Sequence, residues 1–165
     1  MIEADNPAIL LVEDDVNDVF FLNYAFDKAM ISNPVVPVGT GQQAIDYLIG
    51  KNEYGNRARF PLPSLILLDL NLPKSHGIEV LRWKASRPDL DSIKVVILTS
   101  SRNQRDIEEC YRLGVEAYLV KPLSNSERVE VAQTIKTYWL DPQLVSVDAH
   151  RVNLPDRGFV MARPE

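Results

Sequence analysis

The chain has 165 residues, 45% hydrophobic and 25% charged, a balance that builds the core of one ordinary domain and excludes general disorder. Its net charge of −5 and pI of about 5.1 argue against nonspecific nucleic-acid binding, which needs a basic face. It has no run of about 18 apolar residues for a membrane span, no signal-peptide pattern in MIEADNPAILLVEDD, and only Cys110 as a thiol, so a cytoplasmic location is expected. The predicted elements alternate. Ala8 to Val12 is a continuous apolar run, as in a strand buried on both faces, and Val16, Val19, Phe20, Phe26 and Met30 follow near helical spacing. Val35 to Gly39 is a second short strand, and Thr40 with Gln43 has capping-box spacing at the start of a helix. Leu65 to Leu68 is a third strand, with a helix from about Ile78 to Ser86 that Pro88 ends. Lys94 to Leu98 precedes a helix over Gln104 to Leu113, in whose pattern Cys110 reads as a packed thiol. Ala117 to Val120 is the fifth strand, and Ser124 with Glu127 opens a last helix that runs to about Leu140.

Five β-then-α units imply a parallel sheet covered by helices on both faces, because parallel strands need crossover connections. The predicted fold is therefore α/β and doubly wound: a five-stranded parallel sheet of order 2-1-3-4-5 with five helices, flavodoxin-like. The expected organisation is a short extension over 1–7, one domain over 8–140 and a tail over 141–165.

In such sheets ligands sit beyond the carboxyl ends of the strands. Glu13, Asp14 and Asp15 follow the first strand, Asp69 the third, Thr99 and Ser100 the fourth, and Lys121 and Pro122 the fifth. With strands one and three adjacent, Asp14, Asp15 and Asp69 converge, and such carboxylates repel unless a cation sits among them. Mg²⁺, a hard ion with oxygen ligands, meets that need. A carboxylate can act as nucleophile toward phosphorus, and a phosphoryl group presents three oxygens for Mg²⁺, the Lys121 ammonium and the Thr99 hydroxyl. Each feature has a plainer reading alone: Asp14 and Asp15 as helix caps, Asp69 to Pro73 as a strand exit, Thr99 as a strand end, Lys121 as a solvated charge. Their joint placement at successive strand ends favours an acyl-phosphate site.

The segments LLVEDD, LILLDLNLP, VVILTSS and YLVKP, with the spacing between them, resemble the successive signatures of two-component response-regulator receiver domains over about residues 8 to 140. The resemblance implies that Asp69 is the phosphoacceptor, that Asp15 binds Mg²⁺ directly and Asp14 through water, and that the Asn71 backbone carbonyl is a further ligand. It makes Thr99 and Tyr118 a hydroxyl–aromatic switch pair, Lys121 the phosphate contact, and the bond before Pro122 cis. It implies a sensor histidine kinase as phosphodonor and a switch that promotes its own phosphorylation and slow self-dephosphorylation rather than an enzyme acting on other substrates.

Other classes fit less well. A flavin protein places a phosphate-binding loop where Glu13, Asp14 and Asp15 stand; an aspartyl phosphatase has a second acid at the Asn71 position; no P-loop motif occurs. A receiver-like binding module that needs no phosphorylation remains the alternative. His76 follows the acceptor loop near a helix start and carries no phosphotransfer signal.

The tail is too short for a DNA-binding or catalytic output domain, so the expected output is contact with an unknown downstream protein. The long loop from Gly50 to Ser64 and the closing Tyr138-Trp139-Leu140 resemble the small regulators that partner bacterial phytochrome kinases. Apolar Leu144, Val145, Val147, Val152, Phe159 and Val160 point to a tail that packs, on its own domain or as the arm of a homodimer.

Overall fold

A computed structural model describes residues 6–141, 154 and 156–165. The elements are β1 (Ile9–Val12), α1 (Val16–Lys28), β2 (Val35–Val38), α2 (Gly41–Ile49), β3 (Leu65–Leu68), α3 (Gly77–Ala85), β4 (Lys94–Thr99), α4 (Gln104–Arg112), β5 (Ala117–Val120), α5 (Asn125–Ile135) and β6 (Val160–Met161). A π-helical turn, Lys136–Leu140, extends α5. The sheet order is β2-β1-β3-β4-β5-β6, with the first five strands parallel. The doubly wound order is as predicted, and the two-residue β6 adds an antiparallel edge beside β5.

Both faces of the sheet are buried, which explains the unbroken apolar runs of β1 and β3. Side chains alternate between the faces. Leu10, Val12, Ile66 and Leu68 pack under α2, α3 and α4, whereas Ile9, Leu11, Leu65 and Leu67 pack under α1 and α5. Pro37 is tolerated in β2 because that strand is an edge with one paired side.

The helix starts follow local chemistry. Thr40 Oγ accepts from Gln43 N at 3.1 Å and Ser124 Oγ from Glu127 N at 3.2 Å, as capping residues do. His76 caps α3 through Nδ1, which accepts from Ile78 N at 3.3 Å. Cys110 is a buried thiol that burial pushes up to about 12.

The loop between α2 and β3 is ordered by its own packing. Tyr54 and Phe60 pack edge to face with ring centroids 5.2 Å apart, both against Tyr47 of α2, and Arg57 donates to the Tyr47, Leu48 and Phe60 carbonyls. Gly50 ends α2 at φ 69, in the left-handed region suited to glycine.

The described part of the tail packs on its own domain. Phe159 is buried beside α5, its carbonyl accepts from Val120 N at 2.8 Å, and Tyr111 Oη donates to the Met161 carbonyl at 2.7 Å. The expectations for Leu144, Val145, Val147 and Val152 lie outside the described residues.

Candidate functional site

Three residues come together because each is the first past the end of its strand. Val12 pairs with Leu68, so Glu13 and Asp69 emerge side by side from β1 and β3, and Asp69 N donates to the Val12 carbonyl at 3.0 Å. Lys121 follows β5, and its N–H donates to the Thr99 carbonyl at 2.8 Å. Alternation then sends all three toward the α1/α5 face, the side of Leu11, Leu67 and Leu119.

The Lys121 ammonium lies 2.5 Å from Glu13 Oε2, 2.7 Å from Asp69 Oδ2 and 2.8 Å from Asp18 Oδ2. The Glu13 and Asp69 side chains are 4% and 5% exposed, Lys121 19% and Asp18 38%, so the charges interact largely out of water. One ammonium against three carboxylates leaves surplus negative charge. Burial pushes the Glu13 carboxyl up to about 7 against the pull of Lys121 and of the Asp15 N–H. Burial alone would lower the Lys121 pKa, but hydrogen bonds to Asp18, Asp69 and Glu13 outweigh it and the net shift is upward.

Glu13, Asp14 and Asp69 each offer an oxygen, all within 4.8 Å of one another. The expected set had Asp15 where this cluster has Glu13. Asp15 is the N-cap of α1; its Oδ1 accepts from Asn17 N at 2.8 Å and Asp18 N at 3.3 Å. Asp15 Oδ1 is thus used by the helix cap, while Glu13 and Asp14 each place an oxygen beside Asp69. The plain capping role of an acid at a helix start therefore holds for Asp15. The signal that locates Glu13 is its register, the same one-past-the-strand position as Asp69 and Lys121. Three carboxylate oxygens suit a hard divalent ion such as Mg²⁺ or Mn²⁺.

The loop after Asp69 folds back on α3. Asn71 N donates to Asp69 Oδ1 at 3.1 Å, and Asn71 Nδ2 to Ser100 Oγ at 3.3 Å. Gly77 N donates to the Leu70 carbonyl, and a Cβ at Gly77 would lie 2.3 Å from the Asp69 carbonyl oxygen. Glycine is needed there for close approach, a requirement absent from the strand-end pattern.

Thr99 and Tyr118 are both fully buried, and Thr99 Oγ accepts from Ser101 N at 3.4 Å. The resemblance predicts a ring that turns inward as Thr99 is drawn away. Here the ring is already inward, with Oη donating to the Ser101 carbonyl at 2.9 Å, and burial pushes that phenol up to about 12. Both side chains fit because Tyr118 fills core space beside Ile107 and Cys110 under α4. No peptide bond among the described residues is cis, so the expectation for Pro122 is not met.

Comparison with known proteins agrees with this architecture. The response regulator receiver domain model matches residues 9–133. Response regulator Rcp1 of Synechocystis sp. is 38% identical over 143 residues, covering 86% of this chain and 95% of that protein. The probable methanogenesis regulatory protein FilR2 of Methanothrix harundinacea is 38% identical over 141 residues, covering 85% of this chain and 88% of that protein. The crystal structure of the phosphorylated cyanobacterial phytochrome response regulator RcpA superposes with a TM-score of 0.75 at 38% identity, covering 82% of this chain and 94% of that one. The Mn²⁺-bound form of Rcp1 superposes with a TM-score of 0.74 at 38% identity, covering 82% and 96%.

Proposed function

The chain belongs to the response regulator receiver domain family, and from that premise we propose that Asp69 accepts a phosphoryl group from a sensor histidine kinase. The single observation that carries this reading is the Lys121 ammonium 2.7 Å from a buried Asp69 carboxylate beside the Glu13–Asp14 pair. An Asp69 carboxylate oxygen attacks phosphorus, forming a P–O bond as the P–N bond to the donor histidine breaks. The electron pair stays on the departing imidazole, which takes up a proton. Lys121 and Thr99 meet phosphoryl oxygens, while Asn71 N holds the other Asp69 oxygen in place. Glu13, Asp14, Asp69 and the Asn71 carbonyl would hold Mg²⁺, which supplies charge neutralisation at the transferring phosphoryl group.

The same residues favour slow self-dephosphorylation, and the chain is a switch rather than an enzyme turning over other substrates. Its output is contact with a downstream protein through the α4–β5–α5 side, where Thr99 and Tyr118 lie. The similarity to Rcp1 and RcpA supports a phytochrome-type kinase as donor in the cytoplasm, and equal identity to FilR2 makes a different input the competing reading. We also read residues 8–140 as the receiver and the tail as seated in cis on β5. A second copy supplying the same strand would make a homodimer arm, and a single-chain mass by light scattering would rule that arm out.

The test is incubation with Mg²⁺ and acetyl phosphate, read by intact mass. A single Mg²⁺-dependent adduct, lost in Asp69→Asn, is expected. No adduct from acetyl phosphate or from a panel of histidine kinases would overturn the reading in favour of a phosphorylation-independent binding module.

A further inference from the structure

Lys121 has three carboxylate partners, and two of them have a second task in the reading above. Glu13 and Asp69 belong to the cluster that would hold the metal, and Asp69 also becomes the acyl phosphate. Asp18 stands apart. It comes from the first turn of α1, lies outside the three-oxygen cluster, and meets Lys121 from 103 residues away in the chain. Its place is set by the helix cap, because Asp15 Oδ1 accepts from the Asp18 N–H.

A lysine ammonium is a point charge on a flexible four-carbon stem, so its direction depends on its acceptors. When Asp69 is phosphorylated, the ammonium loses a carboxylate partner and must find a phosphoryl oxygen. With Glu13 engaged by a metal, Asp18 is the acceptor that neither event consumes. Asp18 is the most exposed of the three partners at 38%, but the ammonium it meets is 19% exposed and also held by the buried Glu13 and Asp69 carboxylates, so the pair is less screened than one wholly at the surface. The rest of the crevice is largely apolar, with Leu11, Phe21, Leu98 and Val131 lining it beside Lys121 and its three carboxylates.

We propose that Asp18 is a positioning residue for phosphoryl acceptance, holding the Lys121 ammonium above Asp69 through the step in which Asp69 and Glu13 change partners. The proposal rests on the phosphoacceptor reading and makes a separate prediction.

The test uses the full chain with Asp18→Ala and Asp18→Asn. Adduct formation is timed with acetyl phosphate at saturating Mg²⁺, Mg²⁺ affinity is taken by calorimetry, and the ¹⁵N-lysine ammonium signal of Lys121 is followed by NMR. Asp18→Ala should slow adduct formation by about tenfold, leave Mg²⁺ affinity within about twofold, and lose the Lys121 ammonium signal to exchange. Asp18→Asn retains an oxygen acceptor and should stay within about threefold of the wild-type rate. A wild-type rate in Asp18→Ala would overturn the proposal. Equal slowing in both variants would assign the effect to net charge, and a parallel loss of Mg²⁺ affinity would make Asp18 part of the metal site; either also overturns it. If the wild-type chain forms no adduct, the phosphoacceptor reading fails, and the tether is then judged by NMR. A Lys121 ammonium signal unchanged in Asp18→Ala would overturn that as well.

Discussion

Two partly buried cations sit at opposite ends of the sheet, and each has three oxygen partners. Arg57, in the loop before β3, donates to the Tyr47, Leu48 and Phe60 carbonyls, fixed neutral groups at the end of α2 and in its loop. Lys121, past the end of β5, meets Glu13, Asp18 and Asp69, charged groups that repel one another and can exchange partners. The first arrangement is complete and holds the loop. The second carries surplus negative charge, which a divalent ion or a proton can neutralise. The number of contacts is the same; the charge of the acceptors separates a structural site from a reactive one.

The largest effect is expected at the charged end. Lys121→Ala should lower metal-free stability by about 3 kcal/mol, because the buried Glu13 and Asp69 carboxylates lose the one cation they pair with among the described residues, and Mg²⁺ should restore most of it. Urea unfolding with EDTA and with Mg²⁺ measures both, and a loss unaffected by Mg²⁺ would break the comparison. Arg57→Ala should cost about 2 kcal/mol in the same assay, equally with and without Mg²⁺, and leave phosphoryl uptake intact.

A smaller, pH-dependent effect follows from Glu13. Burial raises its carboxyl pKa from 4.5 to about 7, so between those values the folded chain binds more protons than the unfolded one. Its contribution is fully present below pH 4.5 and lost as pH rises through 7, so metal-free stability should fall across that window. Glu13→Gln should flatten the fall, and a slope unchanged in that variant would remove Glu13 as its source. The smallest effect is Tyr118→Phe, which loses the bond to the Ser101 carbonyl and should cost about 1 kcal/mol with phosphoryl uptake retained.

The strand-end positions of Asp69, Lys121 and Thr99 were legible because each closes a short apolar run, and a parallel sheet gathers strand ends on one side. The acid pair was harder. Glu13, Asp14 and Asp15 are consecutive acids, and any two of them satisfy the strand-end rule. The choice depends on where β1 ends, and one residue of shift turns a side chain to the other face. Glu13 N donates to the Val38 carbonyl at 2.9 Å, so the ladder runs one residue further and Glu13 faces the cluster while Asp15 begins the helix.

By itself the sequence determined the βα alternation, the sheet order, the helix caps and the place of Asp69 at a strand end, because these depend on periodicity and on residues near one another in the chain. Tertiary structure alone decided that Asp18 meets Lys121, that Arg57 closes α2, that Gly77 must lie against Asp69, and that β6 pairs with β5. Each of these joins groups that no local pattern links. Their contact is set by strand register and by the packing of helices onto the two faces of the sheet.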